Sequence, residues 1–202
     1  MNDIVGNNIG MTWKSLVSAV KERGTELFNE GLEITDVRII FSTDKGNDII
    51  LEKHADKEMI QNMMKVFFSN EKNSLGHSYS DFMRGPLGRN DLTDIIELLQ
   101  EKRICKRATL TLTGNGNGKV PCINIINFLI RNEKLDVYYF SRGQDAYKKF
   151  YADALCIAKM QLHIAKSLNM DIGLITGYIA SAHIYNEDID AIDLFLADNH
   201  HI

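Results

Sequence analysis

The chain has 202 residues, of which 45% are hydrophobic and 25% charged, with a net charge of −4. That length supports one sizeable core, and the acidic balance argues against a nucleic-acid polymer as partner. No apolar run approaches the roughly 18–20 residues a membrane span needs, and Met1-Asn2-Asp3-Ile4-Val5 lacks the basic and apolar regions of a signal peptide. Trp13, Leu16, Val17, Val20, Leu27 and Phe28 recur at helical spacing, predicting an amphipathic helix with Thr12 as its cap and Gly31 at its end. Val37 to Ser42 and Ile49 to Leu51 read as two strands of a hairpin joined through Thr43-Asp44-Lys45-Gly46-Asn47. Met59 to Phe68 is a Met-rich helix that fills core.

Asn70 to Asn90 is long, polar and glycine-bearing, and carries His77, Tyr79, Arg84 and Arg89; ordered loops of this length often build sites. Leu92, Ile95, Ile96 and Leu99 mark another amphipathic helix. Arg107 to Thr113, Ile123 to Arg131 and Leu135 to Ser141 are strand-like, rich in β-branched and aromatic residues. Ala152 to Leu168 is apolar around much of its circumference, which predicts a buried helix. A last strand around Thr176 to Tyr185 and a short acidic tail follow. Only two prolines occur, with no linker and no repeat, so residues 1–202 read as one α+β domain, a mixed sheet packed against helices. Three cysteines, an odd and sparse set, fit a reducing, cytoplasmic compartment better than a disulfide framework.

The glycine-rich run Thr113-Gly114-Asn115-Gly116-Asn117-Gly118-Lys119 has the wrong spacing for a phosphate loop, and Val120 stands where Ser or Thr is needed. It reads as a connection before Cys122. A lone cysteine is usually an inert core residue. Cys122, however, follows a loop, opens a strand, and has Arg142 as a candidate stabiliser of its thiolate. Cys105 and Cys156 lack such support.

Several segments in one order carry a resemblance. They are Val120-Pro121-Cys122-Ile123-Asn124-Ile125-Ile126-Asn127-Phe128, then Arg142-Gly143-Gln144-Asp145, then Ala182-His183-Ile184-Tyr185; upstream lie Ser78-Tyr79-Ser80-Asp81-Phe82-Met83-Arg84 and Lys106-Arg107. Together they resemble the thymidylate synthases and their pyrimidine-hydroxymethylating relatives, most strongly over residues 76–189. The family's Pro-Cys-His-x-x-x-Gln-Phe segment keeps its cysteine and phenylalanine here, with Ile123 for the histidine and Asn127 for the glutamine.

The resemblance implies a role for each matching residue. Cys122 would add to C6 of a pyrimidine, making C5 nucleophilic. Arg142 would grip the 5′-phosphate, with Lys106 and Arg107 reaching in from the second subunit of a homodimer. Asn127 would contact substrate, His183 and Tyr185 would bond the sugar hydroxyl, and Tyr79 would help position proton transfer at C5. Asp145 would face methylenetetrahydrofolate. The bland alternatives are an ordinary salt bridge for Arg142 and Asp145, and a strand edge for His183 and Tyr185.

Counted from Arg142 and Asp145, the base-reading asparagine of thymidylate synthases falls on Asp153. An amide donates to uracil O4, whereas a carboxylate accepts from the N4 amine of cytosine, so the substitution points to a cytidine monophosphate. Its alternative is a helix N-terminal Asp favoured by the dipole. Two departures oppose the match. Asn62 stands near the family's catalytic glutamate, leaving Glu58, one turn earlier, as the substitute; and the chain ends at Ile202, soon after the His-x-Tyr motif, without a recognisable closing tail or N-terminal phosphate loop. One-carbon transfer to C5 therefore stands beside two other readings, a non-catalytic nucleotide-binding or dimeric interaction protein, and transfer to a non-nucleotide heterocycle.

Overall fold

The computed structural model describes residues 2–43, 47–69, 71, 78–79, 83, 91–112 and 120–198. The glycine-rich run 113–119, the centre of the expected hairpin turn, and His77, Arg84 and Arg89 lie outside the described residues. In chain order the strands are β1 (Asn2–Val5), β2 (Thr25–Leu27), β3 (Gly31–Phe41), β4 (Thr109–Thr111), β5 (Ile123–Arg131), β6 (Lys134–Ser141), β7 (Gln144–Asp145) and β8 (Asp171–Tyr185). The helices are α1 (Ile9–Arg23), α2 (Ile49–His54), α3 (Lys57–Phe68), α4 (Leu92–Glu101), α5 (Phe150–Ser167) and α6 (Ile189–Ala197).

The strands form one mixed sheet in the order β1-β3-β8-β6-β5-β4, with β2 beside β3 and β7 beside β8. The β3–β8 and β5–β6 pairs are antiparallel, whereas β6–β8 and β1–β3 are parallel. This is the α+β architecture expected, and the long β8 is its centre.

One face of the sheet carries the helices. Helix α5 buries Phe150, Ala154, Cys156, Ile157, Met160 and Ile164, and α1 buries Trp13, Leu16, Val17 and Val20 beside it. Along the other face, Arg38, Tyr178, Phe140 and Ile125 are aligned across four strands by the register. Ile125, Phe140 and Tyr178 are exposed there.

Four local expectations are corrected. Helix α1 starts earlier, at Asn8, whose side chain accepts from Met11 N at 2.8 Å, and ends at Gly24 rather than Gly31. Leu27 belongs to β2 and Phe28 to the turn after it, where Phe28 and Asn29 have φ of 44° and 62°. Gly31 instead opens β3, where a Cβ would strike the Ile184 carbonyl.

Ile49 to Leu51 is helical, not a hairpin strand, because Asp48 caps it: Oδ1 accepts from Leu51 N at 3.2 Å and Oδ2 from Gly10 N at 2.7 Å. The acidic tail is also helical. Ile192 and Phe195 of α6 are buried, Phe195 lying 4.3 Å from the Trp13 ring centre. Finally, β1 and β2 had no period-2 run long enough to announce them.

Candidate active site

The cysteine turn, the β6–β7 corner, the end of β8 and the first turn of α5 converge on a cavity of about 300 Å³. Its lining includes Cys122, Arg142, Asp145, Asp153, His183 and Tyr185, six residues separated by more than sixty positions in sequence. Pairing of β7 with β8 sets Asp145 beside His183, and the α5 helix turns Asp153 in from the opposite wall.

Arg142 holds the cysteine turn as well as the cavity. Its backbone N–H donates to Cys122 O at 2.9 Å, Nε to Pro121 O at 3.2 Å and Nη2 to Val120 O at 2.9 Å. These bonds fix the guanidinium; among the described residues Nη1 makes no hydrogen bond. Arg142 and Asp145 form no salt bridge with each other among the described residues; Asp145 Oδ1 instead accepts from the amides of Tyr147 (3.1 Å) and Lys148 (2.8 Å).

Cys122 is exposed to the cavity while Cys105 and Cys156 are buried. The expected thiolate stabilisation by Arg142 is present in sign, but it does not win. Burial pushes the thiol up and outweighs the pull of Arg142 and Lys149, with Asp153 and Asp145 adding to the rise. Tyr79 is buried, its ring stacked on Phe67 at 4.3 Å and 8°. Burial first, then Asp153 and Cys122, keeps its hydroxyl protonated far above the ordinary tyrosine value, against the pull of the Ile123 and Cys122 backbone.

Asp153 is only 5% exposed. Gln144 Nε2 donates to its Oδ2 at 3.0 Å, and Oδ1 has no hydrogen-bond partner among the described residues. Burial pushes this carboxyl up to about 6, against the Gln144 hydrogen bond and Lys149, with Asp145 adding to the rise. Burial also pulls His183 below its ordinary value, opposed by Asp145 and Glu33. His183 is thus a neutral ring at pH 7, its centroid 5.2 Å from that of Tyr185.

The pattern that describes thymidylate synthases matches residues 19–201. The chain belongs to the thymidylate synthase family. Relatives from Methanothermobacter thermautotrophicus and Methanocaldococcus jannaschii, each named "Putative thymidylate synthase", are similar over most of their length. The first is 24% identical, over 89% of this chain and 91% of the relative; the second is 26% identical, over 88% and 83%. Thermostable thymidylate synthase A from Bacillus subtilis has the same fold, with a TM-score of 0.72 at 14% identity, covering 96% of this chain and 85% of that one. Thymidylate synthases are transferases that place a one-carbon unit on C5 of a pyrimidine nucleotide. Membership therefore makes this chain an enzyme of that class.

Seven residues singled out from sequence (Cys122, Tyr79, Arg142, Asp145, Asp153, His183 and Tyr185) line the cavity of this thymidylate synthase fold. Four others do not. Glu58 is exposed in the first turn of α3, and the residue that α3 sends to the cavity is Met63. Asn127 turns to the β4 side, donating to Thr109 Oγ1 at 2.6 Å and to Ala108 O at 3.1 Å. Lys106 and Arg107 are exposed, away from this chain's own cavity. Sequence reasoning passed over Gln144 and Lys149. Gln144 was the unspecified position of its motif, yet it lines the cavity and donates to Asp153; Lys149 lies four residues before Asp153, one helical turn away.

Proposed function

We propose that the enzyme transfers a one-carbon unit to C5 of a cytidine monophosphate through a covalent adduct between Cys122 and C6. The observation that carries this reading is a buried carboxyl, Asp153, with an unpartnered oxygen in the cavity that holds the exposed cysteine. Above about pH 6 that carboxyl is ionised. It accepts from the N4 amine of cytosine and opposes the O4 lone pairs of uracil. An unsatisfied buried polar group costs about 1–3 kcal/mol, enough to set a preference.

In this reading Arg142 Nη1 takes a phosphate oxygen, and Lys106 and Arg107 of a second copy complete the phosphate site. Neutral His183 and Tyr185 bond the sugar. The Cys122 sulfur, once deprotonated, forms the bond to C6, and the electron pair of the 5,6 double bond moves to C5. After the carbon is transferred, C5 loses its hydrogen as a proton and the C6–S bond breaks, returning the thiolate. Tyr79, held protonated in the cavity wall, helps position proton transfer at C5.

The family generally takes its carbon from methylenetetrahydrofolate, and the cavity offers one group suited to it. Asp145 has one oxygen tied to the Tyr147 and Lys148 amides, and the other, which accepts no hydrogen bond among the described residues, would take a ring N–H. When bound, that cofactor would supply the one-carbon unit. The open apolar row on the sheet suits a homodimer, a second copy covering Ile125, Phe140 and Tyr178.

The test is release of hydrogen from C5 of tritiated dCMP and dUMP. Release from dCMP in excess over dUMP, abolished in Cys122→Ala while nucleotide binding persists, is the expected result. Unchanged release in that variant would remove the covalent mechanism.

A further inference from the structure

Asp153 alone leaves the choice of base incomplete. An ionised carboxylate that accepts from cytosine N4 also accepts from uracil N3–H, and a protonated one matches either base edge. A second group that can only accept, placed beside the exocyclic position, would remove this ambiguity, because cytosine has two hydrogens on N4 and uracil O4 has none.

Gln144 has the properties required. It is 2% exposed and lines the cavity beside Asp153. Its Nε2 is committed to Asp153 Oδ2 at 3.0 Å, with a longer contact to Asp145 O at 3.4 Å, so its amide orientation is set by the carboxylate. Its Oε1, like Asp153 Oδ1, is buried and has no hydrogen-bond partner among the described residues. Two orphaned acceptors on two residues joined by a hydrogen bond are costly in a protein interior unless a ligand donates to them.

We infer that Gln144 is a specificity-determining residue: it fixes the Asp153 carboxyl and, through Oε1, accepts the second hydrogen of an exocyclic amino group, so that the pair selects an aminopyrimidine over an oxopyrimidine. The inference rests on the cytidine reading above and names the group that enforces it. Besides Gln144, the charged and titratable groups around Asp153 are Lys149 and Cys156 on α5, Asp145 on β7, Tyr139 on β6, Tyr79 against the cysteine turn, and Cys122 itself. None of them is an acceptor-only group hydrogen-bonded to Asp153.

The experiment measures dCMP and dUMP affinity calorimetrically between pH 5 and 8 for wild type, Gln144→Met and Gln144→Glu, with folding followed by circular dichroism. Gln144→Met keeps the length and removes both polar atoms, and it is expected to lower the dCMP-over-dUMP preference by roughly tenfold. Because the lost hydrogen bond favoured the carboxylate, the pH midpoint of the remaining preference should move upward, which a purely structural defect would not cause. Gln144→Glu keeps an acceptor but loses the donor to Asp153 and sets a second carboxyl beside it, so the midpoint should rise at least as far as in Gln144→Met. Wild type that prefers dUMP overturns the cytidine reading and this inference with it. Wild type that prefers dCMP, with the ratio unchanged in Gln144→Met or the midpoint unmoved in both variants, overturns this inference alone.

Discussion

At the scale of single residues, the site holds groups that the fold would be more stable without. Asp153 has an ordinary value of 3.8 and is pushed up to about 6 by burial. Between these values the folded chain binds more protons than the unfolded one. Stability therefore falls as pH rises through the window, and the cost is fully present above about pH 6. The span corresponds to about 3 kcal/mol. Asp153→Asn removes the charge and keeps an oxygen to accept from Gln144, so it should melt higher than wild type at pH 8, by roughly 5 °C or more. At pH 4 the two should melt together. Thermal scans at both pH values check this, and a gain that persisted at pH 4 would remove the charge as its cause. Such a trade of stability for recognition is what a base-reading role requires of a buried carboxyl.

Among the elements, α6 shows what composition conceals. Asp188, Asp190, Asp193 and Asp198 dominate its neighbourhood, so the segment reads as a short acidic tail. Ile189, Ile192 and Phe195 nevertheless recur every three residues, and Phe195 closes over Trp13 with Tyr147 nearby. Phe195→Ala should cost about 3 kcal/mol, measured by urea denaturation, whereas a solvated tail would cost nothing. The same contrast explains what the sequence disclosed elsewhere. Strand β5 and helices α3 and α5 were legible because each has enough residues to display a period. Strands β1 and β2 are four and three residues long and exist through their pairing with β3. Helix α2 was misread from its β-branched run because the deciding interaction, Asp48 with Gly10, spans 38 residues. At the site, motif order singled out Cys122, Arg142, Asp145, His183 and Tyr185, which line one cavity. Gln144 stayed hidden because its meaning lies in one hydrogen bond to a residue nine positions away.

Taken as a whole, the described residues cover one face of the sheet with helices and leave Ile125, Phe140 and Tyr178 exposed on the other. Two features of the open molecule then meet in a single explanation: Ile125, Phe140 and Tyr178 form an uncovered apolar row, and Lys106 and Arg107 lie away from the cavity that needs cations for a phosphate. If two copies pack through the open face and exchange these cations, each site is built from both chains. Phe140→Glu should then lower the mass in sedimentation equilibrium from dimer to monomer and abolish turnover together. Complementation gives the sharper check. Arg142→Ala homodimers and Lys106→Ala/Arg107→Ala homodimers should each be inactive, since every site lacks a phosphate contact. Mixed and refolded in equal amounts, half of the dimers combine one chain of each kind, and in those one site carries both defects while the other carries none. Roughly a quarter of wild-type turnover should therefore return. No recovery on mixing, with dimers present, would mean that each chain grips its phosphate alone.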